Sequence, residues 1–318
     1  MSDRALHRCR IVAIGAANMD IAGTTDQAIA QGDSIPGRIR CSAGGVARNV
    51  AENLARLGVG VGLLSAVGDD VFGRELLASA AAAGVDVAGC WVLPGAATSS
   101  YLSIHGRDGE MATALNDMAI LECVTPALLA TRLGLLRQAD ALLLDCNLSA
   151  VALEWLFGHA AAVPVFVDSV SAFKCRRILP WLSRIHTLKA NRLEAEALWG
   201  QPVGDAASVL RAAQWLHAQG VQQVVLSLGA EGVFWSTSAG DHGQQPPWPI
   251  KMVNATGAGD ALLAGLLQQW LRQVPLRRAV RFASACAALT LSVQSANHPG
   301  LSVASVQRLL DQADAETQ

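Results

Sequence analysis

Asn254-Ala255-Thr256-Gly257-Ala258-Gly259-Asp260 runs directly into Ala261-Leu262-Leu263-Ala264-Gly265-Leu266-Leu267. The second stretch is long and apolar enough for a buried helix, which puts the glycines and Asp260 at its start. A helix start carries unpaired backbone N–H groups and a partial positive charge, and both suit a phosphate. Glycines there let the backbone approach an anion closely. A carboxylate in such a nest repels phosphate unless it has work to do, such as accepting the proton of a hydroxyl that attacks phosphorus. Asp is also a favoured N-cap, so Asp260 read alone is either a cap or a base.

Outward from that stretch, the chain has 318 residues, 52% of them hydrophobic and 16% charged, with a formal net charge of -2. A large core is implied, and nothing in the charge balance points to nucleic acid or an anionic membrane. No apolar run reaches the length of a membrane span, and the N-terminal residues lack the apolar core of a signal peptide. The seven cysteines (Cys9, Cys41, Cys90, Cys123, Cys146, Cys175, Cys286) are scattered and never spaced C-x-x-C. They read as reduced thiols of a cytoplasmic protein, and no histidine pair is spaced to hold zinc.

Short β-rich runs alternate with longer helical ones, which predicts an α/β fold with a mostly parallel sheet and a single domain over 1–318. Strands are expected at 11–16, 61–67, 141–145, 163–168, 186–189 and 224–228. Helices are expected at 45–57, 71–83, 125–137, 150–160, 192–199, 206–219, 258–272, 276–293 and 302–313. Two turn-rich stretches, 21–41 and 90–118, break the rhythm and read as a small β flap or an ordinary edge hairpin.

The common nucleotide loops are missing. There is no Gly-Lys pair for a P-loop and no G-x-G-x-x-G after the first strand, which argues against a P-loop kinase and a dehydrogenase. Other elements suit a polyhydroxylated ligand and a nucleotide. Gly44 and Gly45 enter a helix that carries Asn49 one turn in, where its amide suits ribose hydroxyls or faces solvent. Asp20, in Asn18-Met19-Asp20 closing the first strand, either accepts from paired hydroxyls or caps a turn. Asn191 and Glu194 make a capping box by spacing, or lie near phosphates with Mg²⁺ between. Ser227, Gly229 and Gly232 form a glycine turn after a strand.

This ordered set resembles that of ribokinase-like (PfkB-type) carbohydrate kinases along nearly the whole chain. A narrower likeness, to bacterial pseudouridine kinases, rests on Asn18-Met19-Asp20-Ile21-Ala22-Gly23, Thr98-Ser99-Ser100-Tyr101-Leu102-Ser103, Leu115-Asn116-Asp117-Met118 and Leu144-Asp145-Cys146-Asn147. The resemblance implies a three-layer α/β/α core with a small β lid, which pairs with its twin in a homodimer. It implies phosphorylation of the 5′-hydroxyl of pseudouridine by ATP with Mg²⁺. Gly257, Ala258 and Gly259 would then form an anion hole and Asp260 the base. Asp20, Gly44, Gly45 and Asn49 would hold the ribose, with Ser100, Asn116 and Asp117 reaching the uracil. Asn191, Glu194, Ser227, Gly229 and Gly232 would serve ATP, Glu194 would meet the metal through water, and Asn297 would lie beside the adenine. Many relatives have an acidic residue at a monovalent-cation loop where this chain has Asn254, so K⁺ activation would lack its charged residue. The alternatives are a kinase for another nucleoside or free ribose, and a non-catalytic ligand sensor on the same fold.

Overall fold

The computed structural model describes residues 11–29, 32–108, 110–160 and 162–316; Cys9 lies outside them. Strand β1 (Ile11–Ile14) leads into β2 (Asn18–Thr24) and β3 (Arg38–Gly44), then helix α1 (Val46–Arg56) and β4 (Val61–Leu64). Next come β5 (Ala66–Gly68), α2 (Val71–Ala82), β6 (Trp91–Leu93), β7 (Ser100–His105) and β8 (Met111–Asp117). The middle of the chain holds α3 (Pro126–Ala130), α4 (Leu133–Gln138), β9 (Ala141–Asp145), α5 (Ala150–His159) and β10 (Val165–Asp168). After a 3₁₀ segment, β11 (Thr187–Asn191), α6 (Arg192–Trp199), α7 (Ala206–Ala218) and β12 (Gln223–Ser227) follow. The chain closes with β13 (Val233–Thr237), β14 (His242–Gln245), α8 (Ala258–Leu271), α9 (Leu276–Leu291) and α10 (Val303–Glu316).

Eight strands form the large sheet in the order β14-β13-β12-β11-β10-β9-β1-β4, parallel except for the antiparallel pairs β12–β13 and β13–β14. Its parallel strands are buried on both faces, and alternate residues divide between two cores. Val12 and Ile14 of β1 pack with α5, α6 and α7, while Ile11 and Ala13 pack with α1, α8 and α9. This is the expected three-layer α/β/α arrangement, and burying both sheet faces is what a parallel sheet requires. A second sheet of four strands, β3-β2-β7-β8, stands apart.

The structure corrects several expectations. The run 61–67 is two strands, not one: at the buried Ser65 the chain leaves the large sheet, and β5 pairs instead with β6. The helix expected at 125–137 breaks after Ala130. Thr131 Oγ donates to the Leu128 carbonyl at 2.6 Å and Arg132 Nε to that of Gly89 at 3.2 Å, so both side chains compete with continued helix. Asn18–Asp20 open the first strand of the small sheet rather than closing β1. The small sheet uses 18–24, 38–44, 100–105 and 111–117, so the flap begins earlier than expected and excludes β6. The six described cysteines are free thiols. Among the described residues, no helix is long and apolar enough to cross a membrane.

Candidate active site

The parallel strands of the large sheet end in polar residues at one edge: Asp145 on β9, Asp168 on β10, Asn191 on β11 and Ser227 on β12. Ligands of α/β sheets gather at this edge because the loops beyond it splay apart. Asp145 is fully buried. One of its oxygens accepts from the backbone N–H groups of Ala16 (2.8 Å) and Ala47 (3.1 Å), the other from Asn147 (2.9 Å). It thereby fastens the ends of β1 and β9 to the start of α1. Burial pushes its carboxyl up to about 6 in spite of those three bonds.

Helix α8 begins at this edge. Its N-cap is Gly257, in the left-handed region at φ 80, and no side chain caps it. A Cβ on Gly257 would collide with the Ala296 carbonyl, so only glycine fits. Asp260 therefore is not the N-cap; it sits in the first turn, buried, and accepts from Asn49 Nδ2 at 2.7 Å. Burial foremost, then the charge of Asp168, pushes the Asp260 carboxyl up to about 7 against the opposing pull of Lys189 and Asn49. Lys189 lies under the same turn, for a Cβ on Gly259 would meet its Nζ. It pairs with Asp168 at 3.0 Å. Burial disfavours its charge, but Asp168, Glu194 and Asp260 outweigh that and raise its pKa, so it remains an ammonium. Asp168 also accepts from the N–H of Val170, a β-branched residue held at φ 63.

A second web fixes Asn49. The buried Arg48 donates to the Gly44 and Ala43 carbonyls, to Glu52, to Asn49 Oδ1 (2.5 Å) and to Asn297 Oδ1 (3.1 Å). Asn297 Nδ2 donates in turn to the Asn49 carbonyl at 2.8 Å. Both ends of the Asn297 amide are thus bound to α1, and Asn49 has one acceptor on Asp260. Gly45 adopts φ 99 against the Ala16 carbonyl, and a Cβ on Gly44 would collide with the Asp20 carboxylate. Asp20 accepts from Asn18 at 2.6 Å; burial raises its pKa, opposed by Asn18 and Arg48.

On the other flank, Asn191 and Glu194 form the capping box that their spacing predicts. The Glu194 oxygens accept from the Asn191 N–H (2.8 Å), Asn191 Nδ2 (2.7 Å) and Ser169 Oγ (2.5 Å). Ser227 donates to the Ala190 carbonyl at 3.4 Å. Beyond it Gly229 is open to solvent at φ 62, whereas Gly232 at φ 86 packs on the Gln245 carbonyl.

The profile of the pfkB family carbohydrate kinases matches residues 9–303. The chain belongs to that family. Pseudouridine kinase of Escherichia coli (strain K12) is 44% identical over 304 residues, which cover 96% of this chain and 97% of that protein. A carbohydrate kinase from Agrobacterium tumefaciens is 32% identical with a TM-score of 0.83, covering 95% of this chain and 96% of that one. Ribokinase of Arabidopsis thaliana, solved with ribose and ATP, has a TM-score of 0.85 at 23% identity and covers 94% and 98% of the two chains.

In this kinase the small sheet divides the three residues expected near a base. Asp20, Tyr101 and Asn116 lie opposite one another on β2, β7 and β8 and share a face. Ser100 and Asp117 oppose each other one residue away, on the reverse face, with Asp117 accepting from the Ala119 N–H at 3.1 Å. Sequence reasoning assigned no part to Lys189, Asp168, Asp145 or Arg48. The i, i+4 series Arg48, Glu52, Arg56 along one helix was a signal for the last of these. A charged Lys189 in a strand bounded by apolar residues was another.

Proposed function

We propose that this kinase transfers the terminal phosphoryl group of ATP to the 5′-hydroxyl of pseudouridine, giving pseudouridine 5′-phosphate. The chemistry rests on one juxtaposition: a buried carboxylate, Asp260, in the first turn of a helix whose start no side chain caps. The substrate follows from the likeness to the Escherichia coli pseudouridine kinase along nearly the full length of both chains.

Asp20, lying on Gly44, holds the ribose hydroxyls together with the Gly44–Gly45 backbone, and Asn49 aims Asp260 at the 5′-hydroxyl. Phosphoryl transfer is largely dissociative, so the base takes the proton late, and a carboxyl near pH 7 suits that task better than an ordinary one. The backbone N–H groups at Gly257, Ala258 and Gly259 receive the charge that develops on the transferring oxygens, and Lys189 beneath Gly259 adds to their field. Asn191, Glu194 and the Ser227–Gly229–Gly232 turn serve the nucleotide. The accompanying Mg²⁺ supplies charge neutralisation on the phosphates. Glu194, its oxygens already taken by Asn191 and Ser169, fits such an ion only through water. A monovalent cation beside the anion hole would meet the neutral Asn254, whose amide is bonded to the Thr256 N–H and the Gln294 carbonyl. Asn297, its amide braced on α1, lies beside the adenine.

The chain acts as one catalytic unit in the cytoplasm, with the small sheet as its lid. The lid's reverse face carries the cross-strand row Cys41, Ile21, Leu102, Leu115, with Ile39 75% and Leu115 69% exposed. An apolar face of this kind is covered in the working protein, here by the same face of a second copy.

The test is ATP turnover with Mg²⁺ on pseudouridine, uridine, ribose and fructose 6-phosphate side by side. Preferred turnover of pseudouridine is the expected result. Preference for ribose would discard the substrate and keep the chemistry, and no turnover on any of the four would favour the sensor reading.

A further inference from the structure

Phosphoryl transfer brings a triphosphate to a sheet edge already crowded with carboxyl groups: Asp20, Asp145, Asp168, Glu194 and Asp260. Most basic side chains around them are committed elsewhere. Lys189 is paired with Asp168, Arg48 with Glu52 and Arg192 with Glu231. Arg177 spends its guanidinium on the carbonyls of Cys146, Asn147 and Leu148. Lys174 differs. It is half-buried, it makes no ion pair among the described residues, and its Nζ donates to the neutral Asn147 Oδ1 at 2.6 Å. An ammonium has three donors, so two remain for a ligand. Burial lowers its pKa, with Asp145 pulling the other way. A partly desolvated cation without an anionic partner is unfavourable until an anion arrives.

The local chain puts the ammonium there. Val170, in the left-handed region at φ 63, bends the chain as it leaves β10. Ser171 then starts a tight turn, its Oγ accepting from the Lys174 N–H at 3.3 Å and its carbonyl from the Cys175 N–H at 2.9 Å. Lys174 thereby reaches from the end of β10 to the end of β9, where Asn147 follows Asp145. Asp145 acts electrostatically on both Lys174 and Asp260, so ammonium and base are gathered around one hub.

We propose that Lys174 is a further catalytic residue, its ammonium donating to the terminal phosphoryl group of ATP from the β9 side while the start of α8 holds that group from its own. This rests on the phosphoryl-transfer reading above. As the bond from phosphorus to the ADP oxygen breaks and the bond to the 5′-oxygen forms, the hydroxyl proton passes to Asp260. Lys174 keeps its protons throughout. Its charge offsets what develops on the transferring and departing oxygens, which counts for more in a closed site than in water. Asn147 holds the ammonium in place beforehand, so little has to reorganise at the moment of transfer.

The experiment compares Lys174→Gln and Lys174→Arg with the wild type. Glutamine can still donate to Asn147, so the tether to β9 survives without the charge. Lys174→Gln should lower kcat on pseudouridine by about a hundredfold while KM for the nucleoside stays within about threefold. Lys174→Arg should recover at least about a tenth of the wild-type kcat. Calorimetry in the presence of Mg²⁺ gives a readout without turnover. There Lys174→Gln should weaken the non-hydrolysable β,γ-imido analogue of ATP by about tenfold and ADP by less than about threefold. A kcat of Lys174→Gln within about threefold of wild type overturns the assignment. An equal loss of both nucleotides overturns it too, by making Lys174 structural only. A wild type inactive on pseudouridine removes the nucleoside reading instead, and the calorimetric pair, which needs no acceptor, still decides Lys174.

Discussion

Asp260 and Asn116 were both expected at the substrate, yet Asp260 is buried in a web of protein partners and Asn116 stands in solvent. Around Asp260, the residues Arg48, Asn49, Asp168, Lys189 and Asn297 are all buried and tied to one another or to backbone. On β8, every residue but Ala114 is exposed. The difference follows from what each side must do. Groups that stabilise a transferring phosphoryl must be in place before the reaction, because reorganisation at that moment would raise the barrier. Groups that recognise a base are completed by the base, so their free partners can be water until it arrives.

The largest expected effect therefore lies on the buried side. Lys189→Met leaves Asp168 as an uncompensated buried charge and should cost about 3–5 kcal/mol of stability, read as a lower urea midpoint. A midpoint close to wild type would break the contrast at its root. Asp260→Asn should lower kcat by about a hundredfold or more while KM for the nucleoside stays nearly unchanged; near-normal turnover would remove Asp260 from the chemistry.

The same variant sharpens the comparison through pH. The folded-state pKa of Asp260 is raised to about 7, above the roughly pH 4 of an unfolded carboxyl. Between those values the folded state holds a proton that the unfolded chain has released. Stability attached to this group is therefore intact below about pH 4, falls as pH rises through the window and stays lost above it. Asp260→Asn abolishes that loss, so it should melt higher than wild type at pH 8 and no higher at pH 4, by calorimetry. Equal melting at pH 8 would mean that the site does not strain its own carboxylate.

The smallest effect is expected on the outer face of the lid. Leu115→Lys should turn a dimer into a monomer in sedimentation while shifting the unfolding of each subunit by only about 0.5 kcal/mol. A dimer that survives the change would place the interface elsewhere.

Much of this contrast could be anticipated from residues close together in the chain. The Asn191–Glu194 capping box, the glycine start of α8 and the alternation of strands and helices are satisfied within a few residues, so local pattern was enough to foresee them. The break in the run 61–67 was not visible, because its apolar residues suit either sheet and the choice is made by pairing with β6. Likewise Asn116 and Asp117 are adjacent and polar, and nothing in their spacing says which faces Asp20.

The amino-acid sequence by itself determined the α/β class, the family and the glycine-led helix start that carries Asp260, since these depend on periodicity and backbone chemistry over short spans. Only the tertiary structure decided what surrounds that turn. Asn49 reaches Asp260 across 211 residues, Asn297 reaches Asn49 across 248, and Asp145 reaches Ala16 across 129. The register of four strands from distant segments sets which side chains look inward. Partners so far apart in the chain are chosen by the packing of whole elements, and a carboxylate acquires its burial, its neighbours and its proton affinity only when that packing is complete.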